Sequence, residues 1–238
     1  MRLNRPFATV TPTLDGDVLA VLAATSETFT ISQIHRILAT ASAEGIRKTL
    51  LRLTTQGIVH HDRVGRTNTF RLNTEHLAAE PIRALARLTD TFLDRIQAHL
   101  DSWPEPPLYA AVFGSAATAT MTVDSDIDIF IVRHTPPADA HTETKTWEQQ
   151  VTELTRAVTA WTGNDTHVIE YTEDDLQHAA AAGEPLLHDV AQQGLTVAGT
   201  RSWLTRQLPT AGRNAATGSS SRSPGSGADR NQRRAVGG

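Results

Sequence analysis

Apolar positions in the first third of the chain recur at helical spacing. Val18, Leu19, Val21 and Leu22 define one buried face over about residues 16–24. Ile31, Ile34, Ile37 and Leu38 define a second, with Thr30 placed to cap its start. Ile46, Leu50, Leu51 and Leu53 define a third, which begins after Thr40 with Ser42 as its cap and ends at Gly57. Ile58-Val59, a polar turn over 62–67 and Phe70-Arg71-Leu72 then read as a two-stranded hairpin. Residues 1–14 read as a polar lead-in.

Between 76 and 102, Leu77, Ile82, Leu85, Leu88, Phe92, Ile96 and Leu100 mark one side of a longer helical stretch that Pro104, Pro106 and Pro107 stop. It is a connector packed on a neighbouring core, or a dimerisation helix; core packing is the preferred reading. The pattern then changes. Residues 108–113 read as a strand, and 127–132 form a nearly continuous apolar run, as in a strand buried on both faces. A helix over 142–161, a strand over 166–171, short helices over 173–182 and 185–193 and a short strand at 195–197 complete the pattern. Gly163, Gly183 and Gly194 punctuate it. From about residue 211 the chain turns to Gly, Ser, Arg and Asn, a composition that buries no core and predicts a disordered tail over 211–238.

Composition narrows the chemistry. Hydrophobic residues make up 39% of the chain and charged residues 20%, ordinary for a globular protein. Without cysteine there is neither a disulfide framework nor a thiolate zinc site, and ten histidines without an HExxH pattern predict no dedicated zinc site. No early apolar stretch is long enough for a signal peptide or a membrane span, so a cytoplasmic protein with no membrane contact is expected. Charge is unevenly spread. Residues 1–75 carry nine Lys/Arg against six Asp/Glu, 76–211 carry eight against nineteen, and 212–238 carry five against one. A basic first module suits a phosphate backbone, whereas the acidic second one needs cations before a polyphosphate can approach.

The chemistry sits in Phe113-Gly114-Ser115, ten residues, then Asp126-Ile127-Asp128. Gly114 and Ser115 fall where a strand ends and a helix is expected to begin. Glycine there lets backbone approach a ligand, and unpaired amides at a helix start favour phosphate. Asp126 and Asp128 are two apart on a strand, so both carboxylates project to one face. Like charges held together repel unless a cation lies between them, and magnesium takes one or two protein carboxylates with substrate phosphates completing its shell. Acids entering so apolar a strand are costly unless they bind something.

The GS-x10-DxD pattern, over about residues 105–200, resembles the polymerase-β-type nucleotidyltransferase superfamily, particularly its minimal members. The resemblance implies an α/β (α+β) fold with a small mixed sheet. It implies catalytic metals on Asp126 and Asp128, magnesium first and manganese as the alternative, and nucleotide phosphates on Gly114 and Ser115. ATP is the first choice of nucleoside triphosphate. The family often has a third carboxylate on a later strand; Glu170, in Ile169-Glu170-Tyr171, is the candidate and Asp165 the alternative. In one respect the chain departs from the family: Arg-Gly often follows the Gly-Ser, but here Ala116 to Thr120 hold no basic residue. A triphosphate would have to be neutralised by magnesium, by backbone dipoles, or by Arg133 and Lys145 instead.

Three helices and a hairpin over residues 14–75 resemble a winged helix-turn-helix, with 50–59 as the recognition helix running into the wing. That resemblance implies contact with double-stranded DNA through Arg47, Lys48 and Arg52 on the helix and Arg63 and Arg66 on the wing. Residues 76–104 would connect the two domains. The expected function is metal-dependent transfer of a nucleoside monophosphate to a hydroxyl, tethered to a DNA-binding module. The acceptor is a protein side chain, an RNA end or a small molecule, and a homodimer is expected by analogy. The alternative is a transcriptional regulator whose second domain senses nucleotide. Minimal family members occur in toxin–antitoxin and resistance systems.

Overall fold

The computed structural model describes residues 1–137 and 141–209, with the side chains of 141–145 excepted. Two cores organise them. The first is built by α1 (Leu14–Ala24), α2 (Ile31–Ile37), α3 (Ala43–Thr55) and a hairpin of β1 (Val59–Val64) and β2 (Thr67–Leu72). Local chemistry sets these elements. Thr30 and Gln33 cap α2 reciprocally as a capping box, and the Ser42 hydroxyl accepts the Gly45 N–H to start α3. Val18, Leu22, Ile34, Ile46, Leu50, Leu53, Val59 and Phe70 meet in one buried cluster. Phe29 bridges Phe70 through two backbone hydrogen bonds of 2.8 Å, an isolated bridge beside the two-stranded hairpin.

Three expectations change here. The polar stretch 62–67 is mostly strand: the β-ladder runs to the Val64–Thr67 pair, and the turn is only Gly65-Arg66, with Gly65 at φ +62°. Two-residue hairpin loops need left-handed backbone, which glycine adopts without strain. The stretch 76–102 is two helices, α4 (Ala79–Ala86) and α5 (Leu88–Asp101), broken at Arg87. Ile82 of α4 joins the first core, and Phe92, Ile96 and Leu100 of α5 join the second, while Leu77 is 96% exposed. Finally, residues 1–14 are no loose lead-in. Leu3 lies in the second core and Phe7, on a 3-10 turn over Pro6–Thr9, in the first.

The second core surrounds a four-stranded sheet ordered β5-β4-β3-β6, with β3 (Tyr109–Phe113), β4 (Ile127–Arg133), β5 (Thr166–Thr172) and β6 (Leu195–Ala198). β3 is antiparallel to both its neighbours, and β4 runs parallel to β5 through the crossover helix α6 (His141–Thr162). Side chains alternate across the sheet, so β4 feeds two separate clusters. Ile127, Ile129 and Ile131 face α5 and α6; Phe130 and Val132 face α7 (Glu173–Ala182), α8 (Pro185–Gln193) and α9 (Arg201–Gln207). The last helix is absent from the pattern-based reading. Its seven residues bury little beyond Leu204, too few to show a period. Among the described residues no helix is long and apolar enough to cross a membrane. The stretch 211–238, expected to be disordered, lies outside the described residues.

Candidate active site

The site forms where β3 ends and β4 begins. Phe113 pairs with Asp128 across the antiparallel ladder, which brings Gly114 beside the aspartate. Gly114 has φ +66°, and a Cβ placed on it would lie 2.6 Å from Asp128 Oδ2. Glycine is required twice over, for the left-handed turn and for the space that the carboxylate fills. The element after it is a single 3-10 turn, Gly114–Ala116, rather than the α-helix expected there. Its opening amides still have no partner within the turn. Asp126 lies one residue ahead of β4, and Asp128 shares the face of Phe130 and Val132. Desolvation raises the Asp128 carboxyl above its ordinary value of 3.8; the neighbouring His167 opposes the shift and Asp126 adds to it.

A third group stands with them. The parallel register pairs Asp128 with His167 on β5, and His167 Nδ1 lies 3.6 Å from Asp126 Oδ2 and 4.0 Å from Asp128 Oδ1. A lone histidine in Thr-His-Val-Ile carries no signal of its own; only strand register assigns it to the aspartates. Glu170, the expected third carboxylate, is not there. Three residues on from His167 it points to the opposite face, where its Oε2 accepts the Trp147 indole N–H at 2.5 Å. Strand parity therefore removes Glu170 from the aspartate pair. The alternative, Asp165, is exposed just before β5, and its carbonyl accepts the Ile127 N–H.

Arg133 is also remote. It ends β4 on the α6 side, with its guanidinium 5.2 Å from the Trp147 ring centroid, at the mouth of a cavity of about 380 Å³ beside Glu105 and His134. The side chain of Lys145 lies outside the described residues. Among the described residues no three His, Cys, Asp or Glu side chains form a ready-made metal cage. The Asp126–Asp128 pair offers two carboxylates, the number magnesium takes when substrate phosphates complete its shell. A cation would also relieve the mutual repulsion that helps to raise the Asp128 carboxyl.

In the first unit, Glu44, Arg47, Lys48, Leu51 and Thr55 line the exposed side of α3. Arg47 donates two hydrogen bonds to Glu44, at 2.8 and 2.7 Å, and Lys48 stands 4.0 Å from the same carboxylate. Arg52 pairs with Asp15 of α1. Arg63 Nε donates to the Gly65 carbonyl at 3.2 Å, and Arg66 occupies the exposed hairpin turn. Every basic residue singled out for DNA contact is thus on the surface of α3 or the hairpin, and two of the three on α3 are tied to Glu44.

A family model described as a nucleotidyltransferase domain matches residues 97–176. Two solved structures resemble about half of the chain. One is described as a toxin-antitoxin with AMP-PNP, 19% identical with a TM-score of 0.33, over 50% of this chain and 79% of that one. The other is a mutant of the toxin-antitoxin MntA-HpeT, 18% identical with a TM-score of 0.34, over 48% of this chain and 79% of that one. No curated protein matches the chain. The family match spans both the Gly114–Ser115 turn and the two aspartates, so residues 97–176 are the part of the chain that matches a nucleotidyltransferase domain.

Proposed function

We propose that the chain transfers a nucleoside monophosphate from a nucleoside triphosphate to a hydroxyl acceptor, at a site made by Gly114, Ser115, Asp126 and Asp128. One observation carries this reading: the glycine turn and the Asp128 carboxylate touch, with no room for a side chain between them. Phosphates on the turn would lie beside the carboxylate pair. Asp126 and Asp128 would hold the divalent ion, magnesium or manganese, whose part is to lower the acceptor hydroxyl's pKa and stabilise the leaving oxygens. The chain's own residues do the rest. The 3-10 turn presents amides and the Ser115 hydroxyl to phosphate oxygens, and both aspartates orient the polyphosphate by way of the ion. His167, rather than a third carboxylate, stands beside the pair. It brings a ring nitrogen within 4.0 Å of both carboxylates. Glu170 has no part in it.

The first unit is read as a winged helix-turn-helix that binds double-stranded DNA. Its support is the order of three helices and a hairpin, together with basic side chains on α3 and the turn. In that reading Arg47, Lys48 and Arg52 meet the major groove or its phosphates, and Arg63 and Arg66 meet the flanking backbone. The Glu44 and Asp15 pairs keep these cations oriented until phosphates replace the carboxylates.

The test incubates full-length protein with α-labelled nucleoside triphosphates and magnesium or manganese, beside an Asp126→Ala/Asp128→Ala variant. Label transfer or pyrophosphate release confined to the unaltered protein is expected. Equal signal in both would move the chemistry elsewhere. Binding of nucleotide without release, coupled to a change in DNA affinity, would favour the nucleotide-sensing regulator, for which the absence of basic residues in 116–125 is the supporting observation.

A further inference from the structure

The loop that carries Ser115 towards Asp126 is held from outside its own sequence. It winds tightly: Ala117 and Thr118 amides donate to the Gly114 carbonyl, the Thr118 hydroxyl donates to the same oxygen, and the Thr120 amide donates to the Ser115 carbonyl. At its crest Ala119 has φ +59°, the one positive-φ residue other than glycine among the described residues. A left-handed alanine costs roughly 1–2 kcal/mol and persists only where the surroundings impose it. The imposing groups come from the chain's first residues. Asn4 Nδ2 donates to the Ala119 carbonyl at 2.7 Å, and the Leu3 amide points at Met121 Sδ at 3.5 Å. Leu3 and Met121 are 2% and 3% exposed in one cluster, and the Thr89 hydroxyl of α5 donates to the Leu3 carbonyl at 2.7 Å. The next residue, Arg5, makes two hydrogen bonds to Asp17 of α1, at 3.1 and 2.6 Å. Three consecutive residues therefore link the candidate nucleotide loop to the first helix of the other unit.

We infer that residues 3–5 form a strap and that Asn4 is a positioning residue, holding the loop after Gly114-Ser115 in the wound shape that directs the opening amides of the Gly114–Ala116 turn to a triphosphate. The inference rests on the nucleotide-site reading for its functional half. A loop without a basic side chain depends on backbone donors for phosphate, so fixing their direction in advance avoids an ordering cost at binding. Buried Leu3 seats the strap, Asn4 imposes the left-handed crest, and Arg5 fixes the far end on α1.

The deciding variant is Asn4→Asp in the full-length chain. It keeps the size of the side chain but turns the donor into an acceptor that faces the Ala119 carbonyl; Asn4→Ala removes the hydrogen bond without repulsion. The first measurement is hydrogen exchange of the 116–122 amides without nucleotide. Exchange faster by roughly two- to tenfold in that segment is expected, with β4 and α3 unchanged. The second is pyrophosphate release, where KM for the triphosphate should rise severalfold and kcat stay within about twofold. Unchanged exchange in both variants overturns the strap. Faster exchange with an unchanged KM overturns the positioning role. Faster exchange in a protein whose unaltered form releases no pyrophosphate leaves the strap standing and defeats the catalytic reading instead.

Discussion

At the scale of single residues, the site sets stability against chemistry. Asp128 is partly buried beside Asp126, and its carboxyl is raised above the ordinary range, chiefly by desolvation. The folded protein therefore holds this proton more tightly than the unfolded chain does. The cost of ionising it is absent below the ordinary value, grows as pH rises through the raised one and is constant above. Asp128→Asn is expected to melt about one or two degrees higher than the unaltered protein at pH 7, the gap closing on acidification to below about pH 4. Turnover should fall at least about a hundredfold. Melting curves across pH, with rates on the same samples, check both. Gly114→Ala tests the other half of the contact. A left-handed alanine costs about 1–2 kcal/mol, and its methyl would displace the Asp128 carboxylate. Denaturant titration should register that loss, and an ATP analogue should bind more weakly.

At the scale of elements, register is what assembles the site. β3 supplies the turn, antiparallel pairing places it beside Asp128, and parallel pairing with β5 adds His167. A shift of one residue in β5 would exchange His167 for a neighbour on the α6 side. Much of this is legible in the sequence: the apolar run 127–132, the two helices bounded by Gly183 and Gly194, and the GS-x10-DxD spacing all match elements of the sheet domain. The choice of Glu170 fails because flanking apolar residues mark a strand but not which face a side chain takes. On α3 the prediction concerns charge. Replacing Arg47 and Lys48 by alanine should weaken duplex binding and reduce the slope of log affinity on log salt by about 1 for each phosphate no longer neutralised. Titrations at several salt concentrations measure it, and an unchanged slope would remove α3 from the interface.

Across the whole molecule, two cores of different charge are joined by α4 and α5, with residues 3–5 as a second connection. On the proposal that the basic unit binds DNA, DNA affinity should fall steeply between about 50 and 200 mM salt while nucleotide KM at saturating magnesium changes far less. Parallel measurement of both on one preparation checks the separation. Periodicity, caps and breakers are local, and the sequence alone determined where most helices and strands lie and that two acids, Asp126 just ahead of a strand and Asp128 on it, stand near a glycine–serine turn. Pairing register, strand parity and packing at a distance are long-range, and only the folded chain could decide them. They brought His167 to the aspartates, turned Glu170 and Arg133 away, divided one apparent connector between two cores and drew a polar-looking N-terminal segment onto the loop beside the site.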